Sequence, residues 1–174
     1  MKHQSIQELF SQTAARYRDC TAIIYQDKQY SYGELEDRAN TIANYLIANG
    51  ARKGTLVGIL AKDSFHVISS IIGILKAGCV FVPFDRQLPQ QRLATMVSHV
   101  APEWFIIESR FWSILSSVTI GGAPKATVIC VDGDAVTNGE EHLAQAVDYK
   151  DYFNPEKPFV QSEADDMAYI YFTS

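Results

Sequence analysis

The chain has 174 residues, of which 47% are hydrophobic and 20% are charged. This length and composition fit one domain or large subdomain with a substantial core, and they exclude a disordered chain. The net charge of −5 provides no attraction to nucleic acid or to anionic membranes. No apolar stretch reaches the roughly 18 to 20 residues of a membrane-spanning helix, and the N-terminus lacks the apolar segment of an export signal. We therefore expect a cytoplasmic protein with no nucleic acid or membrane partner.

The cysteines and histidines do not form a recognisable reactive site. Cys20, Cys79 and Cys130 are widely spaced and include no C-x-x-C pair, which favours reduced thiols over a disulfide framework. Cys79 and Cys130 lie in apolar runs, where a cysteine usually serves as a small buried residue. No histidine has a second metal ligand at a useful spacing; the four are His3, His66, His99 and His142.

Capping patterns mark the first two predicted helices. Ser5 and Ser31 each precede a glutamate by three residues, which is the pattern of a capping box. A helix is predicted behind each, and the second is expected to end at the Asn-Gly pair 49–50. Between them, residues 22–30 predict two short strands with a turn at 26–28.

The middle of the chain predicts a strand, a helix and a second strand. Residues 56–60 form a continuous apolar run, typical of a strand buried on both faces. A largely apolar helix, capped by Asp63 or Ser64, is expected to end at 77–78 and to lead into a strand at 79–83. A unit of this length is typical of a right-handed parallel crossover.

The alternation continues, and it predicts the fold class. Pro89 is placed for a first helical position, and residues 92–100 are expected to be helical behind it. A strand at 104–107, a helix at 111–118 and a strand at 127–131 are expected next. Residues 132–166 are polar, with one or two helical turns expected around 140–147, and should wrap over a surface. Residues 167–172 (MAYIYF) are strongly β-prone. We predict a three-layer α/β fold with a largely parallel sheet flanked by helices, and ligands beyond the carboxyl ends of its strands.

Three segments, taken together and in order, resemble one enzyme family. They are QYSYGELEDRANTIANYL at 29–46, GILKAGCVFVPFDRQLPQQRL at 73–93 and DMAYIYFTS at 166–174. All three are similar to the adenylate-forming superfamily, and in particular to the N-terminal part of a nonribosomal peptide synthetase adenylation domain. The first two segments are scaffold, in which Lys76 complements a helix dipole and Gly78 allows a tight turn. Asp85 and Arg86 are expected in a solvated turn, with contact to a ligand as the alternative.

The resemblance implies an activity and a site. Residues 1–174 would form the N-terminal part of the adenylation-domain large subdomain and end where the glycine-rich phosphate loop begins. Thr173 and Ser174 match the first two positions of that loop and would help to hold the phosphates of ATP. The intact enzyme would form aminoacyl-AMP from an amino acid and ATP with Mg²⁺, and would then load a phosphopantetheine carrier.

The resemblance also implies partners: the rest of the adenylation domain, a peptidyl carrier domain and a condensation domain. No catalytic residue is expected within 1–174. We therefore predict that these residues by themselves bind no cofactor and catalyse no ATP–pyrophosphate exchange.

Other interpretations stay open. The chain has neither a Walker-type phosphate loop nor a dinucleotide-binding glycine motif. It departs from the family pattern at Cys79, where a small residue is common, and at Phe84-Asp85-Arg86, where Leu-Asp-Pro is frequent. An acyl-CoA synthetase or acyl-AMP ligase is the alternative within the superfamily. A non-catalytic module that docks on a complementary chain is the alternative outside it. The sequence does not define which acid is activated.

Overall fold

The computed structural model describes residues 4–119, 126–132, 144–148, 152–158, 160, 163 and 165–172, with 144–148 as backbone. The helices are α1 (Ile6–Arg16), α2 (Tyr32–Ala48), α3 (Ser64–Lys76), α4 (Gln90–Val100) and α5 (Trp112–Thr119), with a short 3₁₀ turn at Ser109–Phe111. The strands are β1 (Thr21–Tyr25), β2 (Lys28–Ser31), β3 (Leu56–Leu60), β4 (Val80–Pro83), β5 (Trp104–Ile107), β6 (Thr127–Cys130) and β7 (Ala144–Asp148). None of the described helices combines the length and the apolar character that a membrane span requires.

Five strands form a parallel sheet in the order β4-β3-β5-β6-β7, whereas β1 and β2 form a separate antiparallel hairpin. One face of the sheet packs against α2 and α3 through a buried cluster that includes Ile42, Ile74 and Ile106. The opposite face packs against α4 and α5 through a cluster that includes Leu93 and Phe105. Successive strand residues point to opposite faces, so Phe105 and Ile106 belong to different layers. The predicted three-layer α/β fold is confirmed.

The predicted capping boxes form in both helices. The Ser5 hydroxyl accepts the Glu8 backbone N–H at 3.4 Å, and the Ser31 hydroxyl accepts that of Glu34 at 3.1 Å. Asp63 is the residue that caps α3, since its carboxylate accepts the Phe65 N–H at 2.8 Å. These local contacts fix where the helices begin, as their sequence patterns predicted.

Three details of the secondary structure differ from the sequence-based expectations. Pro89 precedes the first helical residue of α4, because its ψ of 138° is extended. Residues 144–148 form a strand instead of a helical turn, since they pair in parallel with β6. Residues 167–172 make one parallel bridge to β4, through Tyr169 and Phe81, rather than a full strand. Pairing with the edge of β6 explains the strand at 144–148.

Lys76 is buried instead of serving mainly as a charge at the end of α3. Its ammonium group lies 2.5 Å from the Glu36 carboxylate and donates to Ser11 Oγ at 2.8 Å and to Asn40 Oδ1 at 2.7 Å. Burial lowers the pKa of Lys76. The contacts tie α1, α2 and α3 together behind the sheet.

The C-terminal side of the polar segment lies along α2, as a wrapping segment should. Asn40 Nδ2 donates to the Pro155 carbonyl at 2.9 Å, and Asn44 Nδ2 donates to the Glu156 carbonyl at 2.7 Å. Further along, the segment passes Gly78, which lies in the turn just before β4. The φ of Gly78 is +70°, a value that favours glycine. A Cβ there would lie 2.8 Å from Val160 Cγ1, so this turn also requires the small residue sterically.

Candidate functional site

The carboxyl ends of the parallel strands define one edge of the molecule. The chain passes from β3 outward to β4 and later from β5 outward to β6, in opposite directions. The strand order therefore reverses between β3 and β5, which is where sheets of this class usually bind ligands. A second place at this edge is the outer corner, where β4 ends beside residues 167–172. The side chains at these two places differ.

Glu108 fills the crevice between β3 and β5. It directly follows β5, and its side chain is 2% exposed. Glu108 Oε1 accepts the backbone N–H groups of Lys62 at 2.9 Å and of Asp63 at 2.6 Å, just before α3 begins. It also lies 3.3 Å from His66 Nδ1, while Oε2 accepts from the Arg110 guanidinium. A helix N-terminus attracts anions, and here the chain's own carboxylate takes that position.

The ionisation of Glu108 matches this arrangement. Burial by itself would raise the pKa of the carboxyl group, but hydrogen bonds from His66, from the Asp63 and Lys62 backbone and from Arg110 lower it to about 2. The carboxylate is therefore charged and already saturated with donors at neutral pH. Sequence reasoning missed this cluster because His66 looks isolated. The available signal was a charged residue immediately after a buried strand.

Residues 167–172 follow the outer side of β4. The Phe81 N–H donates to the Ala168 carbonyl, and the Ile170 N–H donates to the Phe81 carbonyl, both at 3.1 Å. The pairing is parallel, so this segment runs toward the carboxyl edge of the sheet. Side chains alternate along it: Ile170 and Phe172 pack against the α4–α5 core. The other row is exposed and consists of Met167, Tyr169 and Tyr171.

The predicted phosphate-binding pair follows this segment directly. Thr173 and Ser174 lie outside the described residues, so their role stays a prediction. Phe172, the residue before them, has its ring centroid 6.4 Å from that of Phe84, which follows β4. The two chain segments thus reach the carboxyl edge side by side.

The turn after β4 stands at the same corner. The Asp85 carboxylate accepts the Gln87 backbone N–H at 2.9 Å in an exposed turn, as expected. The Arg86 guanidinium is not simply solvated, since it lies 5.8 Å from the ring centroid of Phe111, the residue that ends the 3₁₀ turn after β5. The side chain therefore spans from the end of β4 toward the end of β5.

A recess of about 440 Å³ lies at the carboxyl side of the α2–α3 layer, next to the stacked rings of Tyr30 and Phe65. Its carboxylates have intramolecular partners: Glu34 caps α2, Asp37 pairs with Arg18, and Asp132 accepts from Ser109. The second carboxylate oxygen of Asp132, Oδ1, is buried without a hydrogen-bond partner among the described residues.

The other candidate groups fit structural roles. Cys79 and Cys130 are buried as predicted, and burial raises the pKa of the Cys79 thiol to about 11. Such a thiol is protonated at neutral pH and is a poor nucleophile. Within the described residues, no cluster of three or more His, Cys, Asp or Glu side chains could hold a metal ion.

Comparison with known proteins decides the family. The model of the AMP-binding enzyme family matches residues 10–174. The chain belongs to the AMP-binding enzyme family. Its predicted membership of the adenylate-forming superfamily is thereby confirmed.

A curated protein and two solved structures are similar to this chain, the structures in fold. Bacitracin synthase 2 of Bacillus licheniformis is 30% identical over 173 residues, which cover 99% of this chain and 6% of that protein. The AMPPNP-bound form of the nonribosomal peptide synthetase FmoA3 aligns with a TM-score of 0.74 at 23% identity, over 97% of this chain and 16% of its own. The coronafacic acid ligase of Pectobacterium brasiliense aligns with a TM-score of 0.80 at 17% identity, over 97% and 33%. The chain thus spans only a small part of the relatives that it matches.

Proposed function

We propose that residues 1–174 form the N-terminal part of the large subdomain of an amino-acid-activating adenylation domain. The complete enzyme would join an amino acid to ATP, release pyrophosphate and transfer the aminoacyl group to phosphopantetheine on a carrier domain. Its partners would be the rest of the adenylation domain, a peptidyl carrier domain and a condensation domain, in the cytoplasm.

The main support is the course of residues 167–172. Their parallel pairing with β4 directs the chain toward the carboxyl edge, and Phe172 packs beside Phe84 at that corner. The next two residues, Thr173 and Ser174, carry hydroxyl groups and backbone N–H groups of the kind that bind phosphate oxygens. The 30% identity to bacitracin synthase 2 over 173 residues supports the peptide-synthetase branch.

The chemistry assigned to this chain is therefore phosphate binding rather than bond making. Thr173 and Ser174 would hold phosphate oxygens of ATP while the substrate carboxylate attacks the α-phosphorus and pyrophosphate leaves. Donors fixed before the reaction stabilise the developing charge most effectively. Mg²⁺ would supply further charge neutralisation when it is bound. Among the described residues, no group of three or more His, Cys, Asp or Glu side chains could hold a metal ion. We assign no proton transfer to any residue in 1–174.

Two alternatives rest on specific observations. The first is an acyl-CoA synthetase or acyl-AMP ligase, since the fold also matches the coronafacic acid ligase. The second is a non-catalytic module that docks on a complementary chain. It is favoured by the exposed row on residues 167–171, where Tyr171 is 71% exposed.

An exchange assay separates the three functions. We expect the full-length protein to catalyse ATP–pyrophosphate exchange that depends on an amino acid, and a panel of fatty and aryl acids should give none. Exchange with those acids alone would establish the acyl-ligase alternative. Residues 1–174 by themselves should be inactive, and activity should return on mixing with a complementary C-terminal part. If the piece binds that partner and no acid supports exchange, the docking function is correct.

A further inference from the structure

The recess beside the stacked rings of Tyr30 and Phe65 is a cavity that the proposed function does not use. Its volume of about 440 Å³ is sufficient for a small organic molecule. Phe65 is buried, and its ring stacks on that of the half-buried Tyr30 with 4.0 Å between the centroids. Val131 and Asp132, which directly follow β6, line the same recess. An aromatic surface therefore lies next to a carboxylate at the edge of the sheet.

The charges around the recess are predominantly negative. Within the described part of the chain, the lining side chains that carry a charge at neutral pH are Glu34, Asp37, Asp132 and Arg38. Arg38 is directed at protein groups, because its Nη2 donates to the Val131 carbonyl at 2.7 Å and its guanidinium carbon lies 5.7 Å from the Phe65 ring centroid. Burial raises the pKa of Tyr30, and so do two nearby carboxylates. The recess therefore favours a positively charged ligand.

The Asp132 carboxylate is only partly satisfied. Its Oδ2 accepts from the backbone N–H and the hydroxyl of Ser109, at 2.8 Å and 2.7 Å. Its Oδ1 is buried and has no hydrogen-bond partner among the described residues. Arg110 attracts Asp132 only at longer range, since its guanidinium donates to Glu108. A buried acceptor without a donor is costly, and a ligand that donates to Asp132 would relieve that cost.

His66 adds a second acceptor to the recess. Its Nδ1 lies 3.3 Å from Oε1 of Glu108, which is charged at neutral pH, so the ring hydrogen is on Nδ1. The neutral ring then presents Nε2 as an acceptor. His66 lies in the first turn of α3 and Asp132 follows β6. Two separate elements thus bring acceptors to one cavity.

We propose that this recess binds a small organic cation, whose planar amidinium or guanidinium group donates to Asp132 while its apolar part rests on the Tyr30 ring. Such a group carries several N–H donors in one plane, which suits a carboxylate without an ion-pair partner among the described residues. Its positive charge is also attracted by the face of an aromatic ring. The site is separate from the corner beside β4, and the inference does not depend on the proposed adenylation function.

The test is calorimetric titration of the full-length protein with benzamidine, which carries an amidinium group on a flat apolar ring. Benzamide is the control ligand, because it has nearly the same shape and no charge. Benzamidine should bind saturably at one site, and benzamide at least about tenfold more weakly, as for the loss of one charge-assisted hydrogen bond.

Substitutions locate the site. Asp132→Asn should raise the Kd for benzamidine about tenfold, because the amide oxygen can still accept from Ser109 while the charge is lost. Asp165→Asn is the matched control, since it removes the same charge from an exposed position, and it should leave the Kd within about twofold. Tyr30→Leu should raise the Kd about fivefold, as for the loss of one cation–π contact, whereas Tyr30→Phe should retain the affinity.

The outcomes either support the site or exclude it. If Asp132→Asn lowers the melting temperature, the two Tyr30 variants decide, since Tyr30→Phe keeps the ring. No saturable binding, equal affinities for benzamidine and benzamide, or equal Kd values in Tyr30→Leu and Tyr30→Phe would overturn the proposal. Benzamidine binding of the expected pattern without ATP–pyrophosphate exchange for any acid would overturn the adenylation function alone.

Discussion

Two places at the carboxyl edge of this sheet lie where ligands commonly bind, and their side chains are arranged differently. In the crevice between β3 and β5, the donors before α3 are already bonded to Glu108, with Arg110 beside it. At the corner beside β4, the exposed row consists of Met167, Tyr169 and Tyr171, and the Arg86 side chain extends from there toward Phe111. Topology alone favours the crevice. The difference teaches that topology alone does not identify a ligand site, because the donors at a favoured crevice can be bonded within the chain.

The largest expected effect concerns the stability of the crevice. Glu108→Ala removes the acceptor for two backbone N–H groups and the partner of Arg110. We expect it to lower the free energy of unfolding by about 3 kcal/mol, since a partly buried donor that loses its partner costs about 1–3 kcal/mol. Urea unfolding of residues 1–174, followed by the fluorescence of Trp104 and Trp112, measures this. Glu103→Ala, at an exposed position, is the control and should change the free energy of unfolding by less than about 0.5 kcal/mol. Equal effects of the two substitutions would contradict the claim that Glu108 stabilises the crevice.

A pH titration sharpens the same point. The pKa of Glu108 is about 2 in the folded chain and 4.5 as its ordinary value. Its carboxylate therefore contributes stability that is complete above about pH 4.5 and is lost as the pH falls toward 2. Between pH 6 and pH 3 the stability advantage of the unaltered chain over Glu108→Gln should shrink by about 2 kcal/mol. An advantage that stays constant across this range would show that the charge of Glu108 does not matter.

The smallest effect distinguishes the two sides of residues 167–172. Ile170 packs against the core, so Ile170→Ala should lower the free energy of unfolding by about 1–2 kcal/mol. Tyr171 is exposed, so Tyr171→Ser should change it by less than about 0.5 kcal/mol. We expect residues 1–174 to self-associate through the exposed row, and sedimentation should show that Tyr171→Ser weakens this association. A larger loss of stability in Tyr171→Ser than in Ile170→Ala would mean that the segment turns its other side to the core.

The elements that sequence predicted best are those with local causes. The cap at Ser31, the apolar run of β3 and the positive φ of Gly78 are each encoded within a few neighbouring residues. The missed features depend on distant partners. Glu108 meets His66 across 42 positions, and Lys76 is buried because Glu36 offers it a carboxylate.

The candidate site was predictable only through its resemblance to a family. Residues 144–148 form a strand because β6 presents an open edge, which no local pattern reveals. The position of Arg86 over Phe111 likewise depends on how two loops meet at the end of the sheet. The roles of Thr173 and Ser174 remain predictions, since both lie outside the described residues.

One comparison of variants tests the central claim, that the corner beside β4 binds the nucleotide and the β3–β5 crevice does not. In the full-length protein, Ser174→Ala should lower amino-acid-dependent ATP–pyrophosphate exchange about 100-fold without a change in melting temperature. Glu108→Gln should lower the melting temperature and leave the KM for ATP within about twofold. Full exchange activity in Ser174→Ala, together with a KM for ATP raised tenfold in Glu108→Gln, would contradict the account.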